Sequence, residues 1–172
     1  LWTLCDQDQW HVFGTSAKYI AAIDKHGYQP REKHQMRSLK AILSTGSPLA
    51  HESFDYVYRD IKEDVLLGSI SGGTDIVSCF CLSCPTLPVY RGELQCAGLG
   101  LAVDVVDDEG QSVIDEKGEL VCRQPFPVMP VRFFGDTDGS MYRSAYFERF
   151  TGIWAHGDFA ERTARDGFII HG

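Results

Sequence analysis

Two short turns hold the residue types that chemistry on a nucleotide needs. The first is Ser44-Thr45-Gly46-Ser47-Pro48, and the second is Ser69-Ile70-Ser71-Gly72-Gly73-Thr74-Asp75. Each follows a short apolar run of the kind that forms a buried strand. In an α/β sheet, ligands sit beyond the carboxyl ends of the strands, which is where these turns fall. Glycines let the backbone approach a ligand closely, and Ser/Thr hydroxyls with free N–H groups hold phosphate oxygens. Asp75 adds a hard oxygen ligand of the kind Mg²⁺ takes when it also binds substrate phosphates. Taken alone, the second turn reads equally as a tight bend whose small residues only permit packing.

The elements around these turns alternate. Leu1 to Asp8 reads as the end of a helix, and Trp10 to Gly14 as a buried strand. Thr15 is placed to cap a helix through Ala17, Tyr19, Ile20 and Ile23 that stops at Gly27. Tyr28 to Arg37 is polar and reads as a loop. Leu39 to Leu43 is a second strand, and Pro48 suits the first position of a helix running through Phe54, Val57, Tyr58 and Ile61. Asp64 to Ile70 is a third strand. Strand, helix, strand, helix, strand predicts a parallel sheet with crossover helices over residues 1–86. From Leu87 the rhythm changes to short β runs at Val89–Leu94, Leu101–Val106, Val113 and Glu119–Cys122, separated by Gly- and Asp-rich turns. Residues 87–172 are therefore expected to form a small antiparallel, barrel-like subdomain. A short helix is expected within Tyr142–Phe150, and a last hairpin turns at Asp166-Gly167.

Composition narrows the function classes. The chain carries 24 acidic and 16 basic residues, a net charge of −8, which disfavours general binding to nucleic-acid backbones. No apolar run is long enough to span a membrane. The six cysteines sit irregularly, several within apolar runs, and are expected as reduced thiols of a cytosolic protein. Cys81 and Cys84 form a C-x-x-C with Cys79 nearby, but the second pair that a structural zinc site needs is missing. The chain opens on Leu1 without a Met and stops at Gly172 after an apolar run, and both ends read as interior to a longer protein.

Four segments in order carry a resemblance. Gly72-Gly73-Thr74-Asp75 resembles the small-x-Thr-Glu motif of the acyl-adenylate-forming ligases, the superfamily of acyl-CoA synthetases, luciferases and peptide-synthetase adenylation domains. Thr45-Gly46-Ser47-Pro48-Leu49 resembles its adenine-binding turn, and Gly118-Glu119-Leu120-Val121 its Gly-Glu-Leu barrel strand. Trp154-Ala155-His156-Gly157-Asp158, followed by Asp166-Gly167-Phe168-Ile169-Ile170-His171-Gly172, resembles the Tyr-x-Thr-Gly-Asp hairpin that leads to its hinge. Ile42–Leu49, Leu67–Ile76 and Gly152–Asp158 are similar to the branch that activates acetoacetate, as are Phe54–Tyr58 and Leu87–Tyr90.

The resemblance implies an activity and roles. Acetoacetate and ATP would give an acyl-adenylate and pyrophosphate, and CoA would then take the acyl group and release AMP. Thr74 would hydrogen-bond the α-phosphate region, and Asp75, where many members have Glu, would help hold Mg²⁺. Ser71, Gly72 and Gly73 would line the nucleotide with Thr74, while Gly46, Ser47 and Pro48 would line the adenine. Asp158 would accept hydrogen bonds from the ribose hydroxyls, a role suited to a carboxylate. Gly72 would leave room for an acid longer than acetate, in a pocket shared with Phe13 and Thr15, although Phe13 to Ser16 reads equally as an ordinary buried junction. His156 needs no catalytic role, because the acid substrate is already ionised at neutral pH. A pyrophosphate-gripping loop, an Arg beyond Gly172 and a mobile domain with a catalytic Lys are expected outside this chain, so the chain alone is expected not to turn over. Another short-chain acyl-CoA synthetase and a non-catalytic nucleotide-binding remnant are the alternatives.

Overall fold

A computed structural model describes residues 1–172, which separate into two compact units. The first comprises Leu1–Ile70 and Ser83–Gln95, and the second Ser71–Leu82 and Cys96–Gly172. No helix is long and apolar enough to cross a membrane.

In the first unit, strands β1 (Val12–Ser16), β2 (Ala41–Thr45) and β3 (Leu66–Ser69) form a parallel sheet in that order. Helix α1 (Trp2–Gln7) precedes the sheet, α2 (Ala17–Lys25) and the short α3 (Pro30–Lys33) link β1 to β2, and α4 (His51–Tyr56) links β2 to β3. Residues Ile20, Leu39, Ile42, Val57, Ile61 and Leu67 are at most 1% exposed and form the core that this alternation predicts.

Several expected details change here. Ser16, not Thr15, caps α2, because its Oγ accepts the Tyr19 N–H at 3.1 Å. Tyr28 to Arg37 contains α3, opened by Pro30 at a position where its missing N–H costs nothing. Pro48 does not begin a helix. The chain stays extended through Ala50, Leu49 drops into the core, and α4 starts at His51 before widening into a π-turn over Val57–Ile61. Val89–Leu94 is not a strand. A turn closes inside it from Tyr90 to Glu93, with Gly92 at φ 85°, which extended backbone does not adopt. The Gln95 side chain ties this loop by accepting from the Cys84 N–H and donating to the Cys84 and Leu87 carbonyls.

The second unit is antiparallel. Strands β4 (Ser71–Gly73), β5 (Ser78–Leu82) and β6 (Cys96–Ala97) form one sheet. Strands β7 (Val103–Val106), β8 (Lys117–Cys122), β9 (Trp154–Arg162) and β10 (Phe168–Ile170) form another in sequential order. The β9–β10 hairpin turns where Asp166-Gly167 predicts, with Asp166 at φ 61°. Gly118 falls within β8 rather than in a turn, and a Cβ there would stand 2.2 Å from the Val106 carbonyl oxygen, so its absence permits close pairing with β7. Helix α5 (Ser140–Phe147) starts two residues before the expected Tyr142, where Asp136 accepts from the Met141 and Tyr142 N–H groups.

Candidate active site

The phosphate-type turn of the sequence is the connection of a hairpin. Ser71, Gly72 and Gly73 form β4, Thr74 to Val77 make the turn, and β5 returns antiparallel. Thr74 and Asp75 are exposed at its tip, while Ile76 is fully buried and anchors the turn. The hairpin is tight at one point: a Cβ on Gly72 would stand 2.2 Å from the Ser78 carbonyl oxygen and 2.5 Å from Cys79 Cα. Gly72 is thus required by the approach of β5, and the space that its missing side chain leaves is filled by backbone.

Asp158 comes from β9, across a widened bulge. Glu119 pairs with Phe159 and Val121 with Ala155, so His156, Gly157 and Asp158 stand opposite Leu120 alone. Gly157 takes φ 89°, and its N–H donates to the Glu119 carboxylate at 2.7 Å. Glu119 is 5% exposed and is paired with Arg149, whose other nitrogen reaches Asp108 at 2.9 Å. The buried carboxylate therefore braces the bulge that presents Asp158.

The bulge and the hairpin meet. Ser71 Oγ donates to Asp158 Oδ2 at 3.4 Å, and His156 Nε2 lies 3.8 Å from the same oxygen. A Cβ on Gly73 would come within 3.0 Å of the His156 ring and 2.1 Å of Asp75 Oδ1, so this glycine lets both side chains close over the strand. Asp75 Oδ1 accepts the Ile76 N–H at 3.1 Å, and Oδ2 accepts the Tyr146 hydroxyl at 2.5 Å. Burial pushes the Tyr146 phenol above its ordinary pKa, and the bond to Asp75 pushes it the same way. Tyr146 stacks on Trp154 with centroids 3.7 Å apart and planes at 13°, and Trp154 is 1% exposed. One wall of the site is thus an aromatic pair between α5 and β9. The arrangement offers hydroxyl and backbone donors at one end and a hydroxyl-accepting carboxylate at the other.

Comparison with known proteins gives this geometry a family. No protein-family profile matches the chain. The acetoacetyl-coenzyme A synthetase of Rhizobium meliloti (strain 1021) is 59% identical over 165 residues, which is 96% of this chain and 25% of that protein. The solved acetoacetyl-CoA synthetase from Streptomyces lividans superposes with a TM-score of 0.91 at 40% identity, over 99% of this chain and 27% of that one. The chain is homologous over nearly its whole length to a segment of the acetoacetyl-CoA synthetases. It spans about a quarter of the length of the curated relatives it matches. An anthranilate CoA ligase solved with anthranoyl-AMP shares the fold, with a TM-score of 0.76 at 19% identity over 98% of this chain and 30% of that one.

The site residues expected from sequence fall into two groups. Ser71, Gly72, Gly73, Thr74, Asp75 and Asp158 all belong to the second unit. Gly46, Ser47 and Pro48 belong to the first, exposed at the carboxyl end of β2, with Gly46 at φ 83°. Thr15 is half-buried in β1, opposite Ser44. Phe13 packs into the core, its ring 5.2 Å from Trp2 and 6.0 Å from both Trp10 and Tyr19. Tyr146 and the Glu119–Arg149 brace were missed. Their signals were present: Tyr142 and Tyr146 share a helix face at i, i+4, and Glu119 is a lone carboxylate in an apolar strand.

No three His, Cys, Asp or Glu side chains converge as a metal site. Mg²⁺ readily binds through one carboxylate plus substrate phosphates, and Asp75 fits that mode, because each of its oxygens keeps a lone pair beyond its present hydrogen bond. All six cysteines are thiols rather than disulfides; burial pushes Cys5, Cys79, Cys81 and Cys122 upward in pKa, and the Thr86 hydroxyl pulls Cys84 downward.

Proposed function

We propose that the chain is the nucleotide-binding middle section of a ligase that makes acetoacetyl-CoA from acetoacetate, ATP and CoA through an acyl-adenylate. The observation that carries this is the meeting of Ser71 and Asp158 beside the Thr74–Asp75 turn. Thr74, exposed at the hairpin tip, presents its hydroxyl and N–H to the α-phosphate, where negative charge grows as the acid attacks. The acid is ionised at neutral pH, so no side chain has to remove a proton, and the residues chiefly orient and stabilise charge. Asp158 accepts from the ribose hydroxyls, held in place by Ser71 and by the braced bulge. Asp75 would be one ligand of Mg²⁺, which would neutralise charge on the phosphates. The resulting mixed anhydride is a good acyl donor to the CoA thiolate, which divides one hard step into two easier ones. For Gly46, Ser47 and Pro48 as adenine contacts, the proposal rests on the resemblance alone. A reducing cytosolic setting suits six cysteines that are all thiols.

Acetoacetate is supported by the names of the relatives rather than by Gly72, whose vacant side is occupied by the β5 backbone. Calorimetric titration with ATP tests the nucleotide site. Binding is expected to weaken at least tenfold in Thr74→Ala and in Asp158→Ala, and equal affinity in all three proteins refutes the site. Pyrophosphate release by the parent ligase with acetoacetate, acetate, propionate and butyrate tests the acid, and acetoacetate is expected to give the highest kcat/KM.

A further inference from the structure

Asp75 stands exposed at the hairpin tip. It sits on a four-residue turn, exposed, where a short carboxylate ordinarily samples several rotamers. Its backbone neighbour fixes only one oxygen, through the Ile76 N–H at 3.1 Å. The other oxygen is held from far along the chain by the Tyr146 hydroxyl at 2.5 Å, and Tyr146 is itself immobilised. The phenol ring lies flat on Trp154, and Tyr142 and Phe133 stand edge-on to it at 5.4 and 5.6 Å. Trp154 opens β9, the same strand that carries Asp158. The aromatic pair therefore ties the two carboxylates of the site to one rigid element.

We propose that Tyr146 is a positioning residue for Asp75: its phenol holds the exposed carboxylate in one orientation, from which it can serve the divalent cation that accompanies ATP. This rests on the nucleotide reading above. The phenol donates to one lone pair of Oδ2 and leaves the other free, so holding and coordination are compatible. A freely rotating Asp75 would have to be ordered when the cation binds, and Tyr146 makes that ordering part of the folded state. The short side chain of Asp75 makes such an anchor useful, because it has little reach with which to correct its own aim.

The test compares the wild-type parent ligase with Tyr146→Phe, which keeps the ring stack and removes only the hydroxyl. ATP is titrated calorimetrically in EDTA and at stepped MgCl₂ concentrations. In wild type, ATP affinity is expected to rise with Mg²⁺. In Tyr146→Phe, affinity in EDTA is expected to match wild type, while the Mg²⁺-dependent gain falls by roughly three- to tenfold, the scale of one hydrogen bond's net contribution. An unchanged gain overturns the proposal. A larger gain overturns it too, because the phenol would then compete with the cation. A loss of equal size with and without Mg²⁺ marks a merely structural role and also overturns it. Asp75→Asn separates the two levels: if wild type shows no Mg²⁺-dependent gain, or Asp75→Asn retains it, the metal role of Asp75 itself fails, whatever Tyr146 does.

Discussion

Replacing Gly72 with alanine separates two explanations of the same residue. If the glycine opens an acyl pocket, a methyl group there narrows substrate choice and leaves the fold alone. The structure predicts otherwise. The new Cβ would lie 2.2 Å from the Ser78 carbonyl oxygen, whereas ordinary contact starts at 3.4 Å, so about 1.2 Å has to be opened between β4 and β5. The obstacle is backbone on a paired strand, which cannot swing aside as a side chain does. Losing a glycine's freedom in the unfolded chain returns only about 0.4–1 kcal/mol. Overpacking of this kind costs about 1–3 kcal/mol, and the contact with backbone puts the net at the upper part of that range. At roughly 2–4 °C per kcal/mol for a chain of this size, the thermal midpoint is expected to fall by about 4–10 °C. Scanning calorimetry on the chain measures this, with Gly14→Ala as control, since a Cβ at Gly14 meets nothing within 4 Å and that variant should melt close to wild type. The hairpin also carries Thr74 and Asp75, so ATP affinity should fall with the midpoint. A Gly72→Ala protein that melts within a degree of wild type while rejecting longer acids refutes the close-approach argument.

Other outcomes follow from the same geometry. Arg149→Met leaves the buried Glu119 carboxylate with the Gly157 N–H but no cation; loss of a fully buried partner costs about 3–5 kcal/mol, and the half-open setting of Arg149 reduces this to about 1–3 kcal/mol, read by urea denaturation at pH 7. Asp104 is buried, which by itself raises its pKa, but bonds from Ser112, Arg123 and the Val105 N–H outweigh this and hold it below the usual carboxylate range. A depressed folded-state pKa gives stability that is complete above the unfolded value of about 3.9 and lost as pH falls through the folded value. The second unit should therefore lose stability between about pH 5 and the acid limit, and Asp104→Asn should show a flatter acid profile from a lower starting stability. Cys84, half-buried, has its pKa lowered by the Thr86 hydroxyl 3.1 Å away and by neighbouring N–H groups, so iodoacetamide at pH 7.5 should label it before the buried Cys5, Cys81 and Cys122. Thr86→Val should slow that labelling.

What the sequence by itself determined lies within a few residues of each pattern. The helical spacing of Ala17, Ile20 and Ile23, the apolar runs of β2 and β3 and the Asp166-Gly167 turn are local, because each depends on side-chain period or on a backbone angle that one residue type tolerates. The polar turns were legible for the same reason, and the order of four motifs suggested the ligase family before any coordinate. Local pattern misled where residues just outside a run decided the outcome. Val89–Leu94 has strand-like residues, yet the Tyr90–Glu93 turn at Gly92 and the Gln95 side chain hold it as a loop. Only the tertiary structure brought Ser71 to Asp158 across 87 positions and Tyr146 to Asp75 across 71. Such pairs leave no periodic trace, because their meeting depends on the register of β8 with β9 and the seating of α5 on Trp154, which are set by the packing of the whole unit.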